Sequence, residues 1–181
     1  PLRQAVKRIH AVLDRLIASH RNNDDTSVLG RLMNARDAET GEPLGGEALR
    51  NEIAVLFLAG LESSANGMTW VWYLLSQAPE VEAKLHAEID HVLSGRLPAF
   101  GDVAKLVYTR AVIDETLRLY PPLPVLSREA LRDETFRDRA IPKGSLIFVV
   151  PWLLHRHPKF WDKPDHFIPD RFMPGSPPPS K

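Results

Sequence analysis

The sequence predicts a mainly α-helical fold with a small β element late in the chain, and three observations predict it. Apolar residues recur at helical spacing up to Leu119. Glycine and proline punctuate that pattern where helices would start and stop. After Pro124 the texture changes to short runs, VLSREA and then ETFRDRAIPKGSLIFVV, which read as strands.

The elements follow in order. Across 4–20, Val6, Ile9, Val12, Leu13, Leu16 and Ile17 define one apolar helical face. RNNDDTS is a polar break, with Asp24 and Asp25 as N-cap candidates for a short helix through Val28, Leu29, Leu32 and Met33. ETGEPLGG reads as a loop. A long helix is predicted over 47–76, roughly 45 Å at 1.5 Å per residue. It is apolar nearly all round from Ile53 to Leu61, so its centre is expected to be buried on every side. Pro79 suits the first turn of the next helix. That helix carries Val81, Leu85, Ile89, Val92 and Leu93 on one face and stops at Gly95. A short helix over 102–106 precedes another over 109–119, which Pro121 and Pro122 end. The β segment turns at Pro142-Lys143-Gly144, and LLHRHPKF adds a helical turn. FMPGSPPPSK is too rich in proline and glycine to be expected to pack. The chain shows no internal repeat.

Composition narrows the function. The chain has 181 residues, enough for one domain with a core or a large part of a bigger one. Its formal net charge of zero argues against a nucleic-acid binder, which would carry a basic excess. It has no cysteine, hence no disulfide, zinc-thiolate site or thiol nucleophile, which fits a reducing compartment. No charged-then-apolar leader follows Pro1, and the longest apolar run, 53–60, is far below the roughly 20 residues that cross a bilayer. A cytoplasmic location is the expectation.

Four stretches stand out chemically. FLAGLESSANGMTW places Gly60, Glu62, Ser63 and Ser64 inside an otherwise apolar helix. A mid-helix glycine costs about 1 kcal/mol relative to alanine, and serine competes for backbone hydrogen bonds. A local widening of the π-bulge kind is expected, with Glu62 and Ser63 as an acid–alcohol pair able to relay protons. The bland alternative is a solvated Glu62 and a Ser63 bonded to a carbonyl one turn back. In ETLRLYPP, Glu115 and Arg118 are three apart on one face among Val112, Ile113, Leu117 and Leu119, so partial burial and mutual pairing are expected. An ordinary surface ion pair is the alternative. In FIPDRF, Arg171 is fenced by Phe167, Ile168, Phe172 and prolines, and Glu115 is its natural carboxylate partner. The alternative is an arginine stacked on a phenylalanine. In LSREA, Arg128 opens a strand where it could meet an anionic group such as a cofactor carboxylate, or simply face solvent.

Taken together, in this order and at these separations, the four stretches resemble the C-terminal half of the haem-thiolate monooxygenases, the cytochrome P450 family. AGLESS (59–64) resembles that family's distal-helix signature, and ETLR (115–118) its Glu-x-x-Arg helix. YPPLPVLSREA and IPKGSLIFVVPWLLHRHPKFWDKPDHFIPDRF resemble the segments that follow. The likeness runs from about residue 5 to 174, so 1–174 reads as part of such a domain and 175–181 as a disordered proline-rich tail.

The resemblance implies roles. Ala59 and Gly60 would leave room over a haem face for dioxygen and substrate. Glu62 and Ser63 would deliver the protons for O–O cleavage, so that stability lost in the helix makes a site. Arg128 would bind a haem propionate, and Glu115, Arg118 and Arg171 would interlock to brace the pocket beneath a kink near Gly60. An electron donor such as a ferredoxin or flavoprotein reductase, and a small apolar substrate, are implied partners. The family usually has threonine at Ser63; serine keeps the hydroxyl but not the methyl that fixes its rotamer, so looser proton delivery is expected. One departure matters more. The family's iron ligand is a cysteine on a loop after the Pro-x-Arg-Phe stretch, and this chain has none. The axial thiolate favours O–O cleavage. The chain is therefore expected to be an incomplete member, inactive by itself and with buried faces lacking partners. Two alternatives stay open: a non-enzymatic helical interaction module, and a haem protein ligated by His155 or His157.

Overall fold

The computed structural model describes residues 2–20 and 27–177. Helices dominate: α1 (Leu2–His20), α2 (Val28–Met33), α3 (Gly46–Ser76), α4 (Pro79–Leu93), α5 (Val107–Leu119) and α6 (Pro151–Leu154). Four strands lie between α5 and α6: β1 (Leu126–Glu129), β2 (Glu134–Phe136), β3 (Arg139–Ile141) and β4 (Leu146–Val149). 3-10 helices occupy Phe100–Lys105 and Pro169–Phe172. The chain divides into two compact units, Pro1–Glu62 and Ser63–Lys181.

In the first unit, Leu13 and Ile17 of α1 bury against Leu49 and Ile53 of α3, with Leu29, Leu32 and Met33 of α2 beside them. Of the apolar face predicted for α1, Leu13 and Ile17 are buried, whereas Val6, Ile9, Val12 and Leu16 are exposed. Asp24 and Asp25 lie outside the described residues; the cap observed on α2 is Ser27, whose hydroxyl accepts from the Gly30 N–H at 3.2 Å.

In the second unit, Val71 and Leu75 of α3 pack with Val81 and Leu85 of α4 and with Tyr108 and Val112 of α5. Pro79 starts α4, and the left-handed pair Ser94 (φ 49°) and Gly95 (φ 81°) ends it. The predicted helix over 102–106 is instead the 3-10 helix Phe100–Lys105. It is clamped by Asp102, whose oxygens accept from two Arg96 nitrogens at 2.6 and 2.7 Å and from the Ala99 N–H at 2.9 Å. The Arg96 hydrogen bonds, helped by that N–H, hold the Asp102 carboxyl well below the usual carboxylate range against the opposing effect of burial. β1 pairs antiparallel with β4, opposing Leu126 to Val149 and Arg128 to Ile147. β2 and β3 form a hairpin inserted between them, turning through left-handed Arg137 and Asp138. The predicted turn at 142–144 is present: Gly144 has φ 84° and the Ser145 N–H donates to the Pro142 carbonyl at 3.0 Å.

Three expectations need correction. First, α3 is an unbroken α-helix through Gly60, with no π turn and no break. A single glycine costs less than the neighbouring turns of Leu, Phe and Ala contribute to a helix of 31 residues. Second, the segment predicted to be buried on all sides is not. Ile53 is buried, but Val55, Leu56, Phe57, Leu58 and Leu61 are exposed, Phe57 by 62%. Helical spacing shows which residues need cover; among the described residues nothing covers these. Third, the start of the closing segment does pack. Met173 joins the Val71–Val112 cluster, and the Ser176 hydroxyl donates to the Asp170 carbonyl at 2.7 Å. Its proline content did not preclude this because the 3-10 turn before it supplies the acceptors. Residues 178–181 lie outside the described residues. Among the described residues, no helix is long and apolar enough to cross a membrane.

Candidate functional site

α5 brings the chemistry together because its thirteen residues present two different faces within the second unit. One carries Glu115 and Arg118, which the sequence spaces three apart. The other carries Ile113 and Leu117 toward an apolar cleft.

The charged face closes as a knot. Glu115 is 0% exposed and Arg118 3%. Arg118 grips the carboxylate with two parallel bonds, Nε to Oε2 at 2.6 Å and a terminal nitrogen to Oε1 at 2.9 Å. Arg171, in the 3-10 helix Pro169–Phe172, adds its Nε to Oε1 at 3.3 Å, and the Ile168 N–H donates to the same oxygen at 2.9 Å. The three predicted side chains therefore meet, and burial exceeds the partial burial expected. Two charges taken out of water at this depth hold only if every lone pair and proton finds a partner. Arg118 meets that condition through backbone acceptors: the carbonyls of His155 (2.6 Å), Pro164 (2.7 Å) and His166 (3.1 Å). Its guanidinium also lies 5.0 Å from the Trp161 ring centre. Arg171 reaches the Lys163 carbonyl at 2.9 Å.

Those carbonyls carry no sequence signal, since any residue has one. Trp161, in the run KFWDKP, offered a faint signal as an aromatic among charges. His155 and His157 belong to the same loop. His155 Nδ1 lies 3.1 Å from the Arg118 carbonyl, which can only accept, so that nitrogen carries the proton. His157 Nδ1 accepts the Lys159 N–H at 3.1 Å. Both rings thus fasten the loop through Nδ1. Among the described residues, no cluster of three or more His, Cys, Asp or Glu could hold a metal ion.

The apolar cleft has a volume of about 350 Å³ and is lined by Ser63, Gly67, Met68, Ile113, Leu117 and Pro122. Ser63 is half-buried at this lining, whereas Glu62 is exposed. Ala59 and Gly60 are exposed on α3, and a Cβ built on Gly60 would meet nothing within 4 Å. Trp70 stacks on Tyr120 at 3.8 Å with rings 5° from parallel, which ties α3 to the end of α5. The Arg156 guanidinium lies 5.5 Å from that Tyr120 and 4.5 Å from Trp152. Arg128 stands exposed on β1, where a terminal nitrogen donates to the neighbouring Ser127 carbonyl at 2.8 Å. The described contacts join Arg128 neither to the knot nor to the cleft.

Comparison with known proteins agrees with this geometry. The family model described as Cytochrome P450 matches residues 2–179. Cyclooctatin synthase of Streptomyces melanosporofaciens is 39% identical over 94% of this chain and 38% of its own length. Cyclooctat-9-en-7-ol 5-monooxygenase of the same organism is 35% identical over 94% of this chain and 38% of its own length. Pentalenene oxygenase of Streptomyces avermitilis is 34% identical over 95% of this chain and 38% of its own length. A crystal structure of a cytochrome P450 superposes with a TM-score of 0.83 at 33% identity, covering 93% of this chain and 40% of that one. The chain thus spans 38% of the length of these curated relatives. With the family matched over nearly every residue, and the fold shared at a third identity, this chain belongs to the cytochrome P450 family.

Proposed function

We propose that this chain carries part of the working centre of a haem-dependent monooxygenase, which hydroxylates a small apolar organic substrate with dioxygen and two electrons. Family membership supports the reading, as do relatives named as a monooxygenase and an oxygenase. The observation that carries it is the buried knot on one face of α5 with an apolar cleft on the other. A fully satisfied ionic knot rigidifies its surroundings, and an apolar cleft with few polar groups suits a flat hydrophobic cofactor or substrate.

Two features support part of a haem site: the apolar wall of the cleft would suit the face of the macrocycle, and the exposed guanidinium of Arg128, apart from the cleft on β1, would suit a propionate carboxylate. The iron's thiolate does not come from these 181 residues, which include no cysteine. Haem, when bound, supplies the activation of dioxygen. This chain's residues would shape and feed the site. Ala59 and Gly60 keep the helix surface low. Ser63 offers a hydroxyl at the cleft lining, and the exposed Glu62 can exchange protons with bulk water. A ferredoxin or flavoprotein reductase would supply electrons, in a cytoplasmic setting.

The test is spectroscopic. The protein expressed from the source gene, reduced and exposed to carbon monoxide, is expected to show a band at about 450 nm, the mark of a thiolate-ligated haem. A protein that takes up no haem, or shows no such band, would overturn the reading.

A further inference from the structure

Glu88 lies in α4, outside every motif singled out above. Its half-buried carboxylate accepts three hydrogen bonds from the start of α5. The Tyr108 N–H donates to Oε1 at 2.6 Å; the Thr109 N–H and the Thr109 hydroxyl each donate to Oε2 at 2.8 Å. α5 needs such a partner. The first amides of a helix have no acceptor within it, and the N-cap residue, Leu106, has no side-chain acceptor to give. A carboxylate is also the group that a helix N-terminus attracts.

The geometry constrains more than a cap does. Two consecutive amides and a hydroxyl, held by both oxygens of one carboxylate, fix α5 along its axis and about it. Sliding the helix by one residue, about 1.5 Å, would break all three contacts. At the far end of α5, Glu115 and Arg118 must meet the Ile168 N–H and the carbonyls of His155, Pro164 and His166 at 2.6–3.1 Å. The Arg171 contact, at 3.3 Å, has the least length to spare.

We propose that Glu88 is a positioning residue for the Glu115–Arg118–Arg171 knot, acting through the N-terminus of α5. The proposal deepens the reading of the knot as the brace of a cofactor pocket, and rests on it only for its bearing on catalysis.

The test compares the ¹⁵N-labelled protein expressed from the source gene, in its haem-free form, with three variants by NMR. Glu88→Gln keeps the size but replaces one acceptor oxygen with a donor. In that variant, amide exchange at Tyr108 and Thr109 is expected to accelerate about tenfold or more, the factor for losing a charge-assisted hydrogen bond. The Nε–H resonances of Arg118 and Arg171 are expected to move with it. Thr109→Ala, which removes only the hydroxyl contact, is expected to move them the same way by less. Leu93→Ala, a buried truncation elsewhere on α4, should lower stability and leave those resonances in place. Stationary arginine resonances in both Glu88→Gln and Thr109→Ala would make Glu88 a local cap and overturn the proposal. If Glu88→Gln does not fold, Thr109→Ala decides by the same criterion. No haem enters the measurement, so a failed carbon monoxide test and a failed positioning test remain distinct.

Discussion

Arg118 uses its guanidinium more fully than any other described side chain on the charged face of α5. Two of its contacts go to a wholly buried carboxylate and three to carbonyls of a loop between 155 and 166. Planarity matters as much as charge. The fork meets both Glu115 oxygens in parallel while its outer edge still reaches the loop. Lysine has one nitrogen and cannot do both. Arg118→Lys, which keeps the charge and loses the fork, is therefore expected to destabilise the chain, and Arg118→Met, which leaves Glu115 buried without this partner, to cost about 3–5 kcal/mol, the penalty for removing one partner of a buried ion pair. That is a large share of an ordinary domain's stability. Urea denaturation monitored by tryptophan fluorescence would measure it. A loss below about 1 kcal/mol, the level of a surface pair, would show that the pair contributes no more than an exposed one. The side-chain members of the knot were legible in the sequence, because charges inside an apolar helical face need partners and FIPDRF supplied one. Its backbone members were not, because a carbonyl has the same identity at every position.

At the scale of elements, α3 shows what periodicity predicts and what it leaves open. Its existence and length follow from the apolar pattern, and its observed start at Gly46 is one residue from the predicted one. The expected widening at Gly60 is not there. Composition shows that a helix is weakened; whether it deforms depends on neighbouring turns and tertiary contacts, which composition does not contain. Gly60 and Gly67 now separate into different roles. A Cβ at Gly60 meets nothing within 4 Å, whereas at Gly67 it lies 3.6 Å from Leu117 Cδ2, at the cleft. Gly60→Ala is expected to stabilise the chain by up to about 1 kcal/mol, the propensity difference in an exposed helix interior. A shift of the denaturation midpoint to higher urea at unchanged slope checks it. A destabilised Gly60→Ala would mean that something else occupies the space beside that glycine. The capping of α5 was illegible for a related reason: Glu88 is nineteen residues before the helix it serves, and only the fold brings it there.

For the whole molecule, the dominant fact is uncovered apolar surface. Val55, Leu56, Phe57, Leu58 and Leu61 are exposed in the first unit, and Trp72, Tyr73, Leu97 and Phe100 in the second. An exposed apolar run such as 55–58 marks a contact site or an association-prone face. The 181-residue chain is accordingly expected to bind the dye ANS and to associate as its concentration rises, with Phe57→Glu weakening both. Light scattering behind a sizing column measures the second effect. A dye-silent, concentration-independent monomer would show that these side chains find cover within the chain. The fold class was readable because helical spacing is a local property. The exposure of α3 was not, because burial depends on what lies opposite.

The latch between Arg118 and His155 has one more consequence. The guanidinium donates to the His155 carbonyl while the Arg118 carbonyl accepts from the His155 ring, and the same guanidinium holds Pro164 and His166. The stretch from 156 to 163 is thus a strap buckled at both ends to a single side chain. A protease that severs it leaves two pieces still gripping the same buckle, so a nicked chain should migrate as one particle until a denaturant opens the grip.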